Sequence, residues 1–291
     1  MRWIVVVVLA AVQGLTELLP VSSSAHVIVT GELLHENMST PANALLLVML
    51  HTGTMFAVIA YFWRQWADTF FSSWEAFYRF ARMVFVACFL SGVVAVPLIL
   101  LVEHILSHGN HHVAIEALFH KLNWIAPALA AAGILILWAG LREARNPDPG
   151  PDAEPSSVGW SQAMLMGIVQ GIAIPFRGFS RSGSTISTGL LADGARVPIE
   201  SFSFAMVVAI TPLAIAREFY RLVRADAHAG IHLNLAAALA PGLLGMVCAF
   251  IAGLVALKWL SRWLEQGRWH LFGIYCLVAA VAVQVLYLRG W

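Results

Sequence analysis

The chain has 291 residues, 60% of them hydrophobic and 11% charged, with a mean hydropathy of +0.79. Soluble domains carry about 25% charged residues, so this composition excludes a soluble globular protein and points to a polytopic membrane protein. A net charge of +1 gives no basis for nucleic-acid binding. The three cysteines, Cys88, Cys248 and Cys276, sit singly in apolar runs, which argues against a disulfide framework or a cysteine metal cluster.

In chain order, the first apolar run has the look of a signal peptide. It leads straight into Gln13 and Glu17 without a small-residue cleavage site, and is expected to stay in the mature fold. Two short apolar segments, 3–18 and 22–34, flank Pro20. Three longer ones follow, at 43–63, 82–102 and 121–141. The region 103–121 carries His104, His108, His111, His112 and His120. With Glu103 and Glu116 as its only carboxylates, it reads as a solvated loop with incidental histidines in preference to a metal site. Residues 142–159 are rich in proline and acidic residues and read as a linker. Beyond it, the short segments 160–174 and 182–193 are interrupted by Pro175 and Gly178, and three long segments close the chain at 202–221, 234–257 and 270–288.

A membrane-spanning helix needs about 20 apolar residues. Six segments meet that test and four do not. Broken helices at membrane depth are tolerated where they are buried in protein or line a wet cavity, so each short pair is expected to form a re-entrant helical hairpin. Sliding the chain by 157 residues superposes Gln13 on Gln170, Gly14 on Gly171, Ser23 on Ser180, Pro41 on Pro198 and Arg64 on Arg221 without a gap. The expected fold is therefore all-α and integral to the membrane: six transmembrane helices plus two re-entrant hairpins in an inverted repeat. The first repeat covers 1–141, a linker 142–159, and the second, inverted repeat 160–291. Nine Lys and Arg residues collect near the span ends on one side and six on the other. That bias places the nine in the cytoplasm and opens the first hairpin to the exterior.

The polar residues concentrate in the two short pairs. Gln13 and Glu17 lie one helical turn apart on one face. After Pro20, Ser22, Ser23 and Ser24 stand where a new helix would begin; they can cap its N–H groups, and those groups can also hold a phosphate. His26 lies within reach of Ser23 as base, acid or nucleophile. In the second pair, Ser180, Arg181 and Ser182 with Gly178, Gly183 and Thr185 form a Gly/Ser-rich turn with an arginine, suited to a phosphoryl group. Arg181 could equally pair with Glu17, and Arg177 has a structural or headgroup role open to it. The two stretches together are expected to form one phosphate-handling site.

Gln13-x-x-x-Glu17, Pro20-Val21-Ser22-Ser23-Ser24-Ala25-His26 and Gly178-Phe179-Ser180-Arg181-Ser182-Gly183-Ser184-Thr185 resemble the paired motifs of the bacterial undecaprenyl-diphosphate phosphatases, also called the bacitracin-resistance family. The resemblance runs nearly end to end. It implies a multi-pass protein of the bacterial inner (plasma) membrane, in contact with the bilayer and with a homodimer left open. Such a protein removes the terminal phosphate of a C55 polyprenyl diphosphate at the periplasmic or exterior face to recycle a cell-wall lipid carrier. It implies Ser23 as nucleophile or phosphate ligand, Glu17 as base or acidic partner, His26 in proton transfer and Arg181 on the transferring phosphoryl. Ser23 and His26 could exchange roles. Gln13, Ser22, Ser24, Gly178, Ser180, Ser182 and Thr185 would bind substrate. A divalent cation, Mg²⁺ or Ca²⁺, would sit on Glu17.

Two positions depart from the family's pattern. Gln13 stands where the commoner form has an acid, leaving Glu17 as the motif's one carboxylate, and Arg177 stands where a proline is usual. A polyprenyl-phosphate carrier or flippase without hydrolysis is the alternative function. A purely structural membrane protein has no use for an arginine between serines at membrane depth.

Overall fold

The computed structural model describes residues 3–36, 41–106, 122–145, 157–176, 178–229 and 235–289. Among these there are ten helices and no strand: α1 Trp3–Leu18, α2 Ser23–Leu33, α3 Pro41–Thr69, α4 Trp74–Leu106, α5 Leu122–Arg145, α6 Trp160–Ala173, α7 Arg181–Leu191, α8 Arg196–Ala229, α9 Leu235–Glu265 and α10 His270–Leu288. Six contain stretches long and apolar enough to cross a membrane: Asn43–Thr69, Trp74–Ile105, Trp124–Arg145, Arg196–Arg217, Leu239–Glu265 and His270–Leu288. Most outrun their apolar segments, because Trp, Arg and Gln at the ends stop the hydropathy signal without stopping a helix. Phe85, Phe89, Val93, Val96 and Leu100 of α4 are exposed, a face fit for hydrocarbon.

The four remaining helices match the four short segments. At about 1.5 Å per residue, the 16 residues of α1 and 14 of α6 cover under 25 Å, and the 11 of α2 and of α7 about 16 Å. None reaches the roughly 30 Å of a hydrocarbon core. His108, His111, His112 and His120, most of the linker (146–156) and Arg177 lie outside the described residues.

The chain divides into two compact units, each drawing on both halves of the sequence. The first comprises Met1–Leu19, Ser23–Arg64 and Val207–Leu260. Its core is Val5, Val6, Leu9 and Ala10 of α1, Val27 of α2, Leu46 and Leu50 of α3 and Ala249 of α9. Gly14 is what lets α1 lie so close to α9: a Cβ there would come within 2.6 Å of Ala249 O. Small residues permit such approach in membrane helices, and this one fixes which face of α1 carries Gln13 and Glu17.

The second unit comprises Pro20–Ser22, Gln65–Met206 and Ser261–Trp291. Here α6 packs on α4 through Gly171, where a Cβ would come within 2.7 Å of Ser91 O. Ser91 Oγ donates to Gly167 O at 2.8 Å and accepts from Gln170 Nε2 at 3.1 Å. Several other polar groups of this unit are paired as well. Arg196 reaches Glu143 at 2.8 Å and Glu265 O at 2.9 Å, Ser261 donates to Glu200 at 2.5 Å, and Trp66 Nε1 donates to Ser201 at 2.8 Å.

Candidate active site

In the first unit, α1 stops at Leu18 and α2 starts at Ser23. Proline at position 20 cannot donate the N–H that would continue α1. Ser22 then takes φ 65, the left-handed region that non-glycine residues seldom occupy. Strain of this sort persists where the surroundings enforce it, commonly at a functional site.

The break places Ser23 against Glu17. The Ser23 hydroxyl donates to Glu17 Oε2, and Gln13 Nε2 donates to the same oxygen at 3.1 Å. The Glu17 side chain is only 7% exposed. A carboxylate that far from water needs donors, and it has them. His26 lies one turn beyond Ser23 on α2 and is half-buried, while the side chain of Ser24 is not described.

A fourth group was not singled out from sequence. His51 of α3 holds Nε2 3.8 Å from Glu17 Oε2, and its Nδ1 lies 2.8 Å from Leu47 O. A histidine inside an apolar span was signal enough to flag it, because ionisable groups at membrane depth are functional by default.

In the second unit, Gly178 turns the chain into α7 with φ 103, open to glycine and strained for other residues, and a Cβ there would come within 2.6 Å of Ile125 O on α5. Ser180 caps α7: its Oγ accepts from Gly183 N at 3.2 Å and lies 3.5 Å from Ser182 Oγ. Arg181 is the first residue of α7 and half-buried. Thr185 Oγ1 donates back to Arg181 O at 2.8 Å and lies 2.6 Å from Ser203 Oγ on α8. Further along α7, Trp269 Nε1 donates to Ser187 at 2.9 Å. Past its end, Arg142 of α5 reaches Leu191 O and, at 2.9 Å, Asp193. Helix α7 is thus fixed from three sides, which holds the start of Arg181 in one place.

The α1–α2 connection, Pro20–Ser22, belongs to this second unit. Pro20 O accepts from Cys276 Sγ at 3.1 Å, and Pro20 Cβ would lie 3.0 Å from a Cβ at Gly183. Within this unit, Pro20 and the first turn of α7 therefore lie side by side.

The family profile described as "Bacitracin resistance protein BacA" matches residues 6–282. The chain belongs to the BacA family. "Undecaprenyl-diphosphatase 2" of Acinetobacter baylyi is 48% identical over 284 residues, which cover 97% of this chain and 96% of that protein. "Undecaprenyl-diphosphatase" of Deinococcus radiodurans is 30% identical over 291 residues, covering 100% and 97%. "Undecaprenyl-diphosphatase 2" of Burkholderia thailandensis is 33% identical over 292 residues, covering 98% and 95%. Every candidate from Gln13 to Thr185 falls inside the BacA match, as does His51.

Proposed function

We propose that this chain is an undecaprenyl-diphosphate phosphatase, hydrolysing undecaprenyl diphosphate to undecaprenyl phosphate and phosphate. Membership of the BacA family and relatives named for that activity support the reaction. The observation that carries the residue assignment is the Ser23 hydroxyl donating to a nearly buried Glu17 carboxylate. A serine is a weak nucleophile until a base takes its proton. As Ser23 Oγ attacks the terminal phosphorus, its proton passes to Glu17, the P–O bond to the bridging oxygen breaks, and undecaprenyl phosphate leaves. Water then cleaves the phosphoserine with His26 assisting proton transfer. Arg181 stabilises charge on the moving phosphoryl. Gln13, Ser22, Ser24, Gly178, Ser180, Ser182 and Thr185 orient the diphosphate directly or by holding the two turns.

A divalent cation fits only as an adjunct of the substrate. Among the described residues no three His, Cys, Asp or Glu side chains converge. Glu17 with diphosphate oxygens is a common way to bind Mg²⁺, and Mg²⁺ or Ca²⁺ bound there would offset the substrate's negative charge.

We place the protein in the bacterial inner membrane, with α1–α2 and α6–α7 as re-entrant hairpins of an inverted repeat and the site facing outward. Three features support this. These helices are too short to span, the excess of positive charge falls on the opposite side, and Gly14 and Gly171, at equivalent places in the repeat, both make backbone-close contacts. Phosphate release from a C55 diphosphate by the purified protein tests the reaction, with a Ser23→Ala/Arg181→Ala double variant as background. No release above that background, with or without divalent ions, would leave the carrier or flippase reading in its place.

A further inference from the structure

Over its most apolar stretch, α4 is the least buried of the six spans. Its exposed stripe of Phe85, Phe89 and Val93 begins with a charge: Arg82, one turn before Phe85, is exposed on the same face. As a helix the apolar segment 82–102 is about 31 Å long, close to the thickness of a hydrocarbon core. Arg82 therefore stands where acyl chains give way to headgroups. Helix α6 runs beside α4, with Gly167 against Ala87 and Gly171 against Ser91, and it brings Trp160 to the level of Arg82. The guanidinium carbon of Arg82 lies 5.8 Å from the centre of the Trp160 ring, within the range of a cation–π contact. Arg79, one turn earlier and also exposed, reaches Ser157 Oγ at 3.5 Å. Beyond Trp160, Met164 and Ile168 of α6 are exposed as well, so two apolar stripes run from the arginines into the membrane.

Among the described residues neither arginine pairs with a carboxylate, and Glu75, one turn before Arg79, makes no ion pair. Stacking on an indole uses the face of a guanidinium and leaves its N–H edges free to donate. A planar fork held that way at headgroup depth matches a phosphodiester, which accepts two parallel hydrogen bonds. We propose that Arg79, Arg82 and Trp160 form a binding site for a bilayer phospholipid of net negative charge. Its phosphate lies on the two arginines and its acyl chains follow the exposed stripes of α4 and α6. A zwitterionic phospholipid carries the same phosphate but sets an ammonium group beside it, which two arginines without a carboxylate partner repel. Each arginine near the surface favours the anionic lipid by about fivefold. The site uses none of the residues assigned to phosphate release.

Tryptophan quenching tests it. Full-length protein is reconstituted in phosphatidylcholine vesicles, and phosphatidylglycerol or phosphatidylcholine with brominated acyl chains is mixed in. The quenching of Trp160 is the difference between the protein and its Trp160→Phe variant. Half-quenching is expected at a mole fraction of phosphatidylglycerol about fivefold or more below that of phosphatidylcholine. Arg79→Gln/Arg82→Gln should bring the two curves within about twofold of each other. Arg82→Lys, which keeps the charge and loses the fork, should retain part of the preference. A preference that survives the double variant overturns the proposal. So does equal quenching of the wild type by both lipids; a preference that then emerges in Asp148→Asn/Asp152→Asn/Glu154→Gln would assign the arginines to that acidic stretch, which lies outside the described residues. Polyprenyl phosphate is the remaining candidate occupant. If an equal mole fraction of it displaces most of the phosphatidylglycerol, the patch belongs to the proposed reaction and the assignment to a bilayer phospholipid falls.

Discussion

Ser23 and Glu17 are joined by a hydrogen bond across the break between α1 and α2, with the hydroxyl donating to the oxygen that also receives the Gln13 amide. Glu17→Gln keeps the size of the side chain and removes the base. Phosphate release is expected to fall by about 10²–10⁴-fold in kcat, with substrate binding little changed. Loss confined to KM would instead make Glu17 a ligand of the substrate.

Gln13→Glu restores a second carboxylate one turn from Glu17. It replaces a donated hydrogen bond with like charges at i, i+4, which is destabilising without a counter-charge. The variant is expected to release phosphate more slowly than wild type when divalent ions are chelated. It should respond to Mg²⁺ or Ca²⁺ at about tenfold lower concentration, because affinity for such ions rises with the number of charged ligands. A metal titration of the rate checks both, and an unchanged titration would remove Gln13 from any role in cation dependence.

The four short helices could be read almost to the residue, because Pro20, Pro175 and Gly178 interrupt the apolar pattern where the backbone breaks. That Gln13 and Glu17 share one face was legible from their spacing; the Ser23 hydroxyl's contact with Glu17 was not, because spacing does not say how the chain turns at Pro20. Nor were His51 and Ser203 legible. Both lie inside long spans whose periodicity reports burial and says nothing of which neighbour a polar side chain meets. The two discontinuous units were equally hidden, since an offset of 157 relates segments without saying which of them pack together.

Thr185 illustrates the difference between holding a site and touching substrate. It is 1% exposed and its hydroxyl is shared between Arg181 O and Ser203. Thr185→Val leaves Ser203 without its partner at a cost of about 1–3 kcal/mol. The unfolding midpoint in detergent should fall and kcat/KM should change by less than about tenfold at a temperature where the variant is folded. A hundredfold loss of kcat/KM with unchanged stability would place the hydroxyl on the substrate.

Gly14 and Gly171 predict a matched pair of defects. Valine at either position drives methyl groups into a helix backbone, Ala249 in one unit and Ser91 in the other. Overpacking of this kind costs about 1–3 kcal/mol, so each variant should unfold earlier by a similar margin. Gly14→Val should also lose activity, because it moves the face of α1 that carries Gln13 and Glu17. A variant as stable and active as wild type would show that the contact is not needed for packing.

Arg181 separates two roles that its position allows. As glue for a carboxylate, its charge is what matters, and Arg181→Lys would retain most of the activity and stability. As the group that holds a transferring phosphoryl, its planar fork matters, because lysine offers a single point charge without bidentate geometry. Ser180 and Gly178 fix the turn from which it projects, so a lysine there starts from the same backbone. The expected result is a loss of about 10²-fold or more in kcat/KM for Arg181→Lys with an unfolding midpoint near that of wild type. Ser23→Ala combined with Arg181→Lys should lose far less than the product of the single losses, because residues acting in one step are strongly non-additive. Additive losses would mean that the two motifs do not act on the same phosphoryl group.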